Sequence, residues 1–165
     1  MANAIKMLQD DHNSVRMLCK QIPSLPGSDH DAEEKAALQL ISLLETHTTL
    51  EEEFVYPIVA DSHPELIKHA EEEHDEAASI LAEIKKEPTG MAMREVVARL
   101  EEAVGKHVAE EEETLFPALT EALGVSGLED LGMQLLGRQQ ELMQAAADTT
   151  DASSTAMPKN ASPKL

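Results

Sequence analysis

The chain has 165 residues, a length that corresponds to one domain and can bury a core without disulfide bonds. Its formal net charge of −19 argues against binding to the phosphate backbone of nucleic acids or to anionic membranes. The aromatic residues are only Phe54, Tyr56 and Phe116, so the core must be largely aliphatic.

The compartment is inferred from the single cysteine and from the N-terminal segment. Cys19 has no partner for an internal disulfide and lies among apolar residues, so we interpret it as a small core residue. No stretch reaches the roughly 18 apolar residues that span a membrane. The first ten residues contain acidic Asp10 and no apolar signal core. These features predict a cytoplasmic protein.

Two long helices are predicted in the first third of the chain. The first runs from about Asn3 to Ile22 and is ended by a segment rich in proline and glycine. Its apolar stripe, with spacings of three and four residues, is Ile5, Leu8, His12, Val15, Cys19 and Ile22. The second begins near Ser28 to Asp31 and reaches about Tyr56, where Pro57 disturbs the last turn. Its stripe is Leu40, Leu44, His47 and Glu51.

Two further long helices follow. The third opens with a capping box at 62–65 and ends at Pro88 and Gly90. Its stripe is Ile67, Ala70, His74, Ala77, Leu81 and Ile84. The fourth begins near Thr89, and Pro117 disturbs its end. Its stripe is Val96 or Val97, Leu100, Val104, His107 and Glu111.

A shorter helix is predicted from about Leu128 to Ala146, and the composition from Asp148 onward predicts a disordered tail. The whole pattern predicts an all-α, up-down-up-down antiparallel four-helix bundle with a short fifth C-terminal helix. Residues 1–147 form this domain and 148–165 form the tail.

An internal repeat relates the second and fourth helices. His47-x3-Glu51-x4-Tyr56-Pro57 matches His107-x3-Glu111-x4-Phe116-Pro117. The two helices therefore look like copies of one ligand-bearing element, and in a bundle of this order they lie diagonally across the core.

Each of the four long helices places one histidine on its inward stripe, and two of them add a glutamate one turn later. A single buried histidine is usually a satisfied core residue, and a buried unpaired carboxylate is costly. Six such residues in one bundle predict a single metal site. They are His12, His47, Glu51, His74, His107 and Glu111.

The predicted ligands are nitrogens and oxygens without thiolate, which suits iron, manganese or zinc. Six ligands exceed the needs of one tetrahedral zinc ion. They fit two ions, because a carboxylate has two oxygens and can bridge a metal pair. Zinc remains an alternative for the purified protein.

These residues, in this order and spacing, resemble the hemerythrin-like (HHE cation-binding) family over about residues 3 to 146. The resemblance implies an antiparallel four-helix bundle with a non-haem di-iron centre, bridged by an oxo or hydroxo group and two carboxylates. The oxygen-carrying branch has one more histidine one turn from the helix 3 ligand, where this chain has Ala70 and Ala78. His69 is one position off and should point away from the core.

A missing histidine leaves room for another ligand, and Tyr56 is the candidate. It lies roughly two and a half turns after His47, so an undistorted helix would not direct it to the metal, but Pro57 can distort the helix there. The alternative is that Tyr56 is a core aromatic equivalent to Phe116.

Three classes of function fit this pattern. The first is a di-iron protein, with two iron ions as cofactor, that acts on or senses O2, peroxide or NO as a catalase-like enzyme or a redox sensor. The second is a non-enzymatic iron-binding or iron-sensing module. The third is a structural bundle with adventitious metal. The expected state is a monomer or a weak homodimer.

Overall fold

The computed structural model describes residues 2–154, and every regular element among them is helical, which confirms the all-α prediction. The α-helices are α1 (Ala4–Gln21), α2 (His30–Leu50), α3 (Tyr56–Val59), α4 (Pro64–Lys86), α5 (Gly90–Glu110) and α6 (Phe116–Ser154). A 3₁₀ turn at Ile22–Ser24 follows α1, and π-helical segments at Glu51–Val55 and Glu111–Leu115 join α2 to α3 and α5 to α6. The described residues therefore contain four long helical stretches.

Four of the helices, α1, α2, α4 and α5, pack in a ring. Helix α1 contacts α2 and α5, and α4 contacts the same two helices from the other side. The pairs α1 with α4 and α2 with α5 therefore lie diagonally opposite each other. This placement of α2 and α5 agrees with the arrangement predicted from the internal repeat.

Two apolar clusters fill the interior, one towards each end of the ring. The first includes Val15, Cys19, Leu40, Leu81 and Leu100, and the second includes Leu8, Leu50, Ile67, Leu115 and Leu119. Along α1, Leu8 lies in the second cluster and Cys19 lies in the first, with His12 between them. Helix α2 passes from the first cluster to the second, and α4 passes from the second to the first. Helix α5 begins in the first cluster, and the π-helical segment that follows it reaches the second at Leu115. Consecutive long helices therefore run in opposite directions, and each crosses the boundary between the clusters at its histidine.

The C-terminal region differs from the prediction. A separate helix beginning near Leu128 is not shown, because the helical range Phe116–Ser154 is continuous through that position and is interrupted earlier, by a kink between two helical parts. It is broken internally at Gly124, whose φ of 62° is readily reached only by glycine. The helix also passes the predicted start of the tail at Asp148, whose carboxylate accepts a 2.9 Å hydrogen bond from Gln144. The remaining predicted tail, 155–165, lies outside the described residues.

The start of α4 also differs from the predicted capping box. His63, not Ser62, is the N-cap residue, and its side chain makes no capping bond. The Ser62 hydroxyl instead donates a 3.0 Å hydrogen bond to the carbonyl of Val59, because the chain turns tightly out of α3. Pro64 occupies the first turn as predicted. No helix within residues 2–154 is long and apolar enough to cross a membrane.

Candidate metal centre

The six predicted inward residues meet in one layer between the two apolar clusters. Each is at most 6% exposed: His12, His47, Glu51, His74, His107 and Glu111. The Nε2 atoms of His12 and His47 are 3.2 Å apart, and those of His74 and His107 are 3.1 Å apart. The histidines therefore form two pairs, and all four direct Nε2 towards the middle of the bundle.

The two glutamates lie between the histidine pairs. Glu51 Oε2 is 3.2 Å from His47 Nε2 and 3.4 Å from His74 Nε2, so it reaches both pairs. Glu111 does the same, with Oε2 3.3 Å from His12 Nε2 and Oε1 3.4 Å from His107 Nε2. Two sets of possible ligand atoms, each lying within 4.8 Å, therefore share Glu51: one contains His12, His47 and Glu111, and the other contains His74 and His107. This is the spatial arrangement that two bridging carboxylates require.

Three of the four oxygens of the buried carboxylates lack hydrogen-bond partners among the described residues. Both oxygens of Glu51 and Oε2 of Glu111 accept no hydrogen bond, although all three atoms are shielded from solvent. Two carboxylates in such surroundings carry a large desolvation cost unless cations compensate them. Imidazole nitrogens and carboxylate oxygens are also the donors that iron, manganese and zinc bind. The side chains present therefore fit a pair of metal ions.

Each histidine directs its other ring nitrogen, Nδ1, towards a carboxylate on an adjacent helical stretch. The four pairs are His12 with Glu112 at 3.3 Å, His47 with Asp11 at 3.5 Å, His74 with Glu52 at 2.8 Å and His107 with Glu73 at 2.9 Å. Such partners orient a metal-binding imidazole and raise its basicity. Three of these carboxylates belong to runs of consecutive glutamates, at 51–53, 71–73 and 110–113. Asp11 was missed, because one acidic residue on a helix normally indicates a solvated face.

The whole layer has approximate two-fold symmetry. The half formed by α1 and α2 repeats in α4 and α5, with His12 matching His74 and His47 matching His107. The carboxylates that contact Nδ1 also follow this relation. The internal repeat recognised in α2 and α5 therefore extends to α1 and α4, where sequence similarity alone did not reveal it.

The π-helical segments explain the direction of Tyr56. It follows Glu51 by five residues, which in an α-helix corresponds to a rotation of about 140° away from the Glu51 direction. The segment Glu51–Val55 absorbs one additional residue, so the offset falls to about 40°. Tyr56 consequently lies one turn beyond Glu51 on the same face. The sequence indicated a distortion near Pro57, but it did not indicate a π-helix.

Tyr56 is the main departure from the two-fold symmetry. Its hydroxyl lies 3.1 Å from His74 Nε2 and donates a hydrogen bond of 3.2 Å to Glu111 Oε1. Its ring stacks on His74 with a centroid separation of 5.5 Å, as the ring of Phe116 stacks on His12 at 5.9 Å. The two halves of the centre therefore have the same packing, but only the His74 half has a phenol oxygen among the possible ligands.

His69 lies outside the centre, as its position in the sequence predicted. Its side chain is 53% exposed, and Nε2 lies 3.5 Å from Glu73 and 3.4 Å from Glu110. It therefore provides a histidine on the same helix as His74 that is separated from the buried layer.

Charge in the layer raises the pKa of two histidines when no metal is present. Burial lowers the pKa of His47, but the charges of Glu51 and Glu111 and contact with Asp11 outweigh it and raise the pKa to about 10. Burial likewise opposes protonation of His107, whose pKa is raised to about 9 by contacts with the same two glutamates and Glu73. The metal-free protein therefore neutralises its buried carboxylates with protons on these imidazoles.

The metal-free protein should lose stability as the pH rises from about 7 to 10. The pKa of each histidine is higher in the folded state than the usual value of about 6.5. Its contribution is complete below that value and disappears as the pH passes about 9 for His107 and about 10 for His47. Thermal melting across this range tests the expectation, with metal-loaded protein as the control. A flat profile for the metal-free protein would contradict it.

Comparisons with known proteins agree with this geometry. A family model described as the hemerythrin HHE cation-binding domain matches residues 3–119. A crystal structure of an HHE cation-binding domain protein from Mycobacterium kansasii is similar in fold, with a TM-score of 0.77 and 22% identity. The match covers 89% of this chain and 91% of that one. No curated protein matches the chain. Because the family model spans more than half of the sequence, the chain belongs to the hemerythrin HHE cation-binding domain family.

Proposed function

We propose that the chain holds two iron ions at the centre of an antiparallel four-helix bundle and acts on or senses O2, peroxide or NO. The observation that carries this proposal is the pair of buried glutamates, Glu51 and Glu111, which lie between two histidine pairs with oxygens that accept no hydrogen bond. His12 and His47 would hold one ion and His74 and His107 the other, with the glutamates shared.

Iron is favoured over zinc by the number and chemistry of the donors. Six side chains exceed one tetrahedral site, and the Tyr56 oxygen beside His74 adds a hard donor that suits ferric iron. Bound iron would supply redox and Lewis-acid chemistry. The protein would orient the imidazoles through the carboxylates at Nδ1 and keep bulk water out with the two apolar clusters.

The size of the space beside the ligands limits what can react there. A small, mostly enclosed cavity of about 10 Å³ lies against all four histidines. Its apolar lining comes from small aliphatic side chains, which include Val15, Ala77, Ala103, Val104 and Val108. Such a space is about one water molecule in size, so it accepts a diatomic molecule or peroxide after slight relaxation and excludes larger substrates.

A second candidate function is a non-enzymatic iron-binding or iron-sensing module. The buried cluster of histidines and glutamates supports it as well, because binding and release of metal there would change the charge of the core. Peroxide turnover separates the two. The iron-loaded protein should consume hydrogen peroxide if it is a catalase-like enzyme, whereas a module that only binds iron should not exceed free iron at equal concentration.

We expect about two iron ions per chain after anaerobic reconstitution with ferrous iron. The reason is that the ligand atoms form two sets that share Glu51 rather than one set around a single point, and Glu111 of the first set also lies 3.4 Å from His107 of the second. Elemental analysis after removal of loosely bound iron measures the ratio. Reconstitution with zinc under the same conditions is the comparison for metal preference. A reproducible ratio of one iron per chain would exclude a dinuclear centre.

A further inference from the structure

An open cleft lies on the surface between α1 and α5, next to the small cavity that lies against the four histidines. It has a volume of about 150 Å³ and reaches His12. Four residues line both spaces: His12, Val15, Val104 and Val108. The wall that the cleft shares with the cavity beside the candidate ligands therefore consists of His12 and three valines.

One of these valines is suited to open the wall. Val15 and Val108 are only 2% and 3% exposed and are held by packing on both sides. Val104 is partly exposed and packs at the edge of the first apolar cluster. A rotamer change at a partly exposed valine takes place rapidly compared with turnover of most enzymes. Rotation of Val104 would therefore join the two spaces without movement of a helix.

The symmetry-related contact between α2 and α4 is built differently. By the His47 to His107 relation, Leu44 replaces Val104 and Glu45 replaces Gly105 at that contact. Glu45 forms an ion pair with Lys85 that bridges α2 and α4. At the α1–α5 contact, a Cβ added to Gly105 would meet no atom within 4 Å. The contact between α2 and α4 is therefore bridged by an ion pair, whereas Gly105 leaves the contact between α1 and α5 open.

We propose that small neutral ligands reach the metal centre through the cleft between α1 and α5, with Val104 as the gate and Gly105 keeping the mouth open. This access route rests on the proposed function, because it supplies a ligand to the iron site. Arg16, Lys20 and Glu101 line the outer cleft, but the wall that it shares with the cavity consists of three valines and His12. An anion would therefore lose most of its hydration at this wall with little compensation. The route therefore selects neutral diatomic molecules and H2O2 over charged species.

The test measures how fast nitric oxide binds to the anaerobic ferrous protein in stopped flow. Gly105→Leu should lower the association rate constant by about tenfold, a barrier increase of about 1.4 kcal/mol. The dissociation rate should fall by the same factor, so the equilibrium affinity should be unchanged. Val104→Ala should raise both rates. Gly137→Leu is the matched control, because Gly137 is also an exposed helical glycine with no atom within 4 Å of an added Cβ.

The outcomes separate the route from the function. Wild-type rates in Gly105→Leu and Val104→Ala, with normal iron content, would overturn the route while leaving the di-iron centre in place. A loss of affinity in Gly105→Leu without a change in association rate would also overturn it, since that result indicates a distorted centre. If wild-type protein with two bound iron ions gave no nitric oxide complex, the proposed function would fail instead. Xenon density in the cleft of pressurised crystals of the metal-free protein is expected, and its absence would count against the route.

Discussion

Replacing Glu111 with alanine should remove most of the bound metal, whereas replacing Glu113 should leave the metal content unchanged. Glu111 is 2% exposed and lies within 3.4 Å of a histidine from each pair, so in the proposed centre its loss would remove a ligand from both ions. Loss of a partner outside the ligand set commonly costs about 10- to 100-fold in metal affinity. The loss for Glu111→Ala should be larger. Glu113 is exposed on the same π-helical segment and provides a matched carboxylate.

A second matched pair lies on α4. His74→Ala removes a buried imidazole whose Nε2 lies 3.1 Å from that of His107, while His69→Ala removes one that is 53% exposed. Iron per chain should fall in the first variant and stay at the wild-type value in the second. Circular dichroism of all four variants shows whether the helices persist. Equal iron losses from His69→Ala and His74→Ala would contradict the assignment of the inward face of α4.

The visible spectrum of the oxidised iron protein should depend on Tyr56. A phenolate bound to ferric iron absorbs visible light by charge transfer, and we expect this band to disappear in Tyr56→Phe at matched iron content. In the metal-free protein, burial and the charges of Glu51 and Glu111 raise the pKa of Tyr56, so the phenol keeps its proton. A cation beside the oxygen reverses this preference, because metal binding displaces the proton of a ligand.

The substitution itself should be well tolerated. Phe116 occupies the symmetry-related position and stacks on His12 as Tyr56 stacks on His74, so the fold already accepts phenylalanine in these surroundings. The lost hydrogen bond to Glu111 should cost about 0.5 to 1.5 kcal/mol. If the spectra of the two proteins coincide, Tyr56 is not a ligand, and its hydroxyl acts only as a donor to Glu111.

The role of Tyr56 affects which reaction the centre favours. A tyrosinate ligand stabilises ferric iron, since a hard anionic oxygen binds the higher charge more strongly. It would also occupy a position that an exogenous ligand could use. Both effects would move the protein away from reversible oxygen binding and towards peroxide chemistry or redox sensing. The comparison of Tyr56→Phe with wild type therefore bears on function as well as on ligand identity.

Periodicity in the sequence was sufficient to predict the four long helices that carry the histidines, and with them the buried polar layer. An apolar stripe determines which side of a helix is buried, and a histidine or glutamate on that stripe must enter the core with it. His12 and His74 were found in this way, as were the repeated His-x3-Glu elements of α2 and α5. The outward position of His69 followed from the same periodicity.

Tertiary structure decided the features that depend on contacts between helices or on departures from α-helical geometry. A π-helical segment depends on local hydrogen-bond geometry, which periodicity does not encode, so the distance from Tyr56 to His74 was not predictable. The partners of Nδ1 depend on which helices are adjacent, so Asp11 was indistinguishable from a solvated aspartate. The cleft beside Gly105 depends on the space between α1 and α5. These three features depend either on contacts between residues distant in sequence or on a distortion of the backbone. The periodicity of a single helix encodes neither of these.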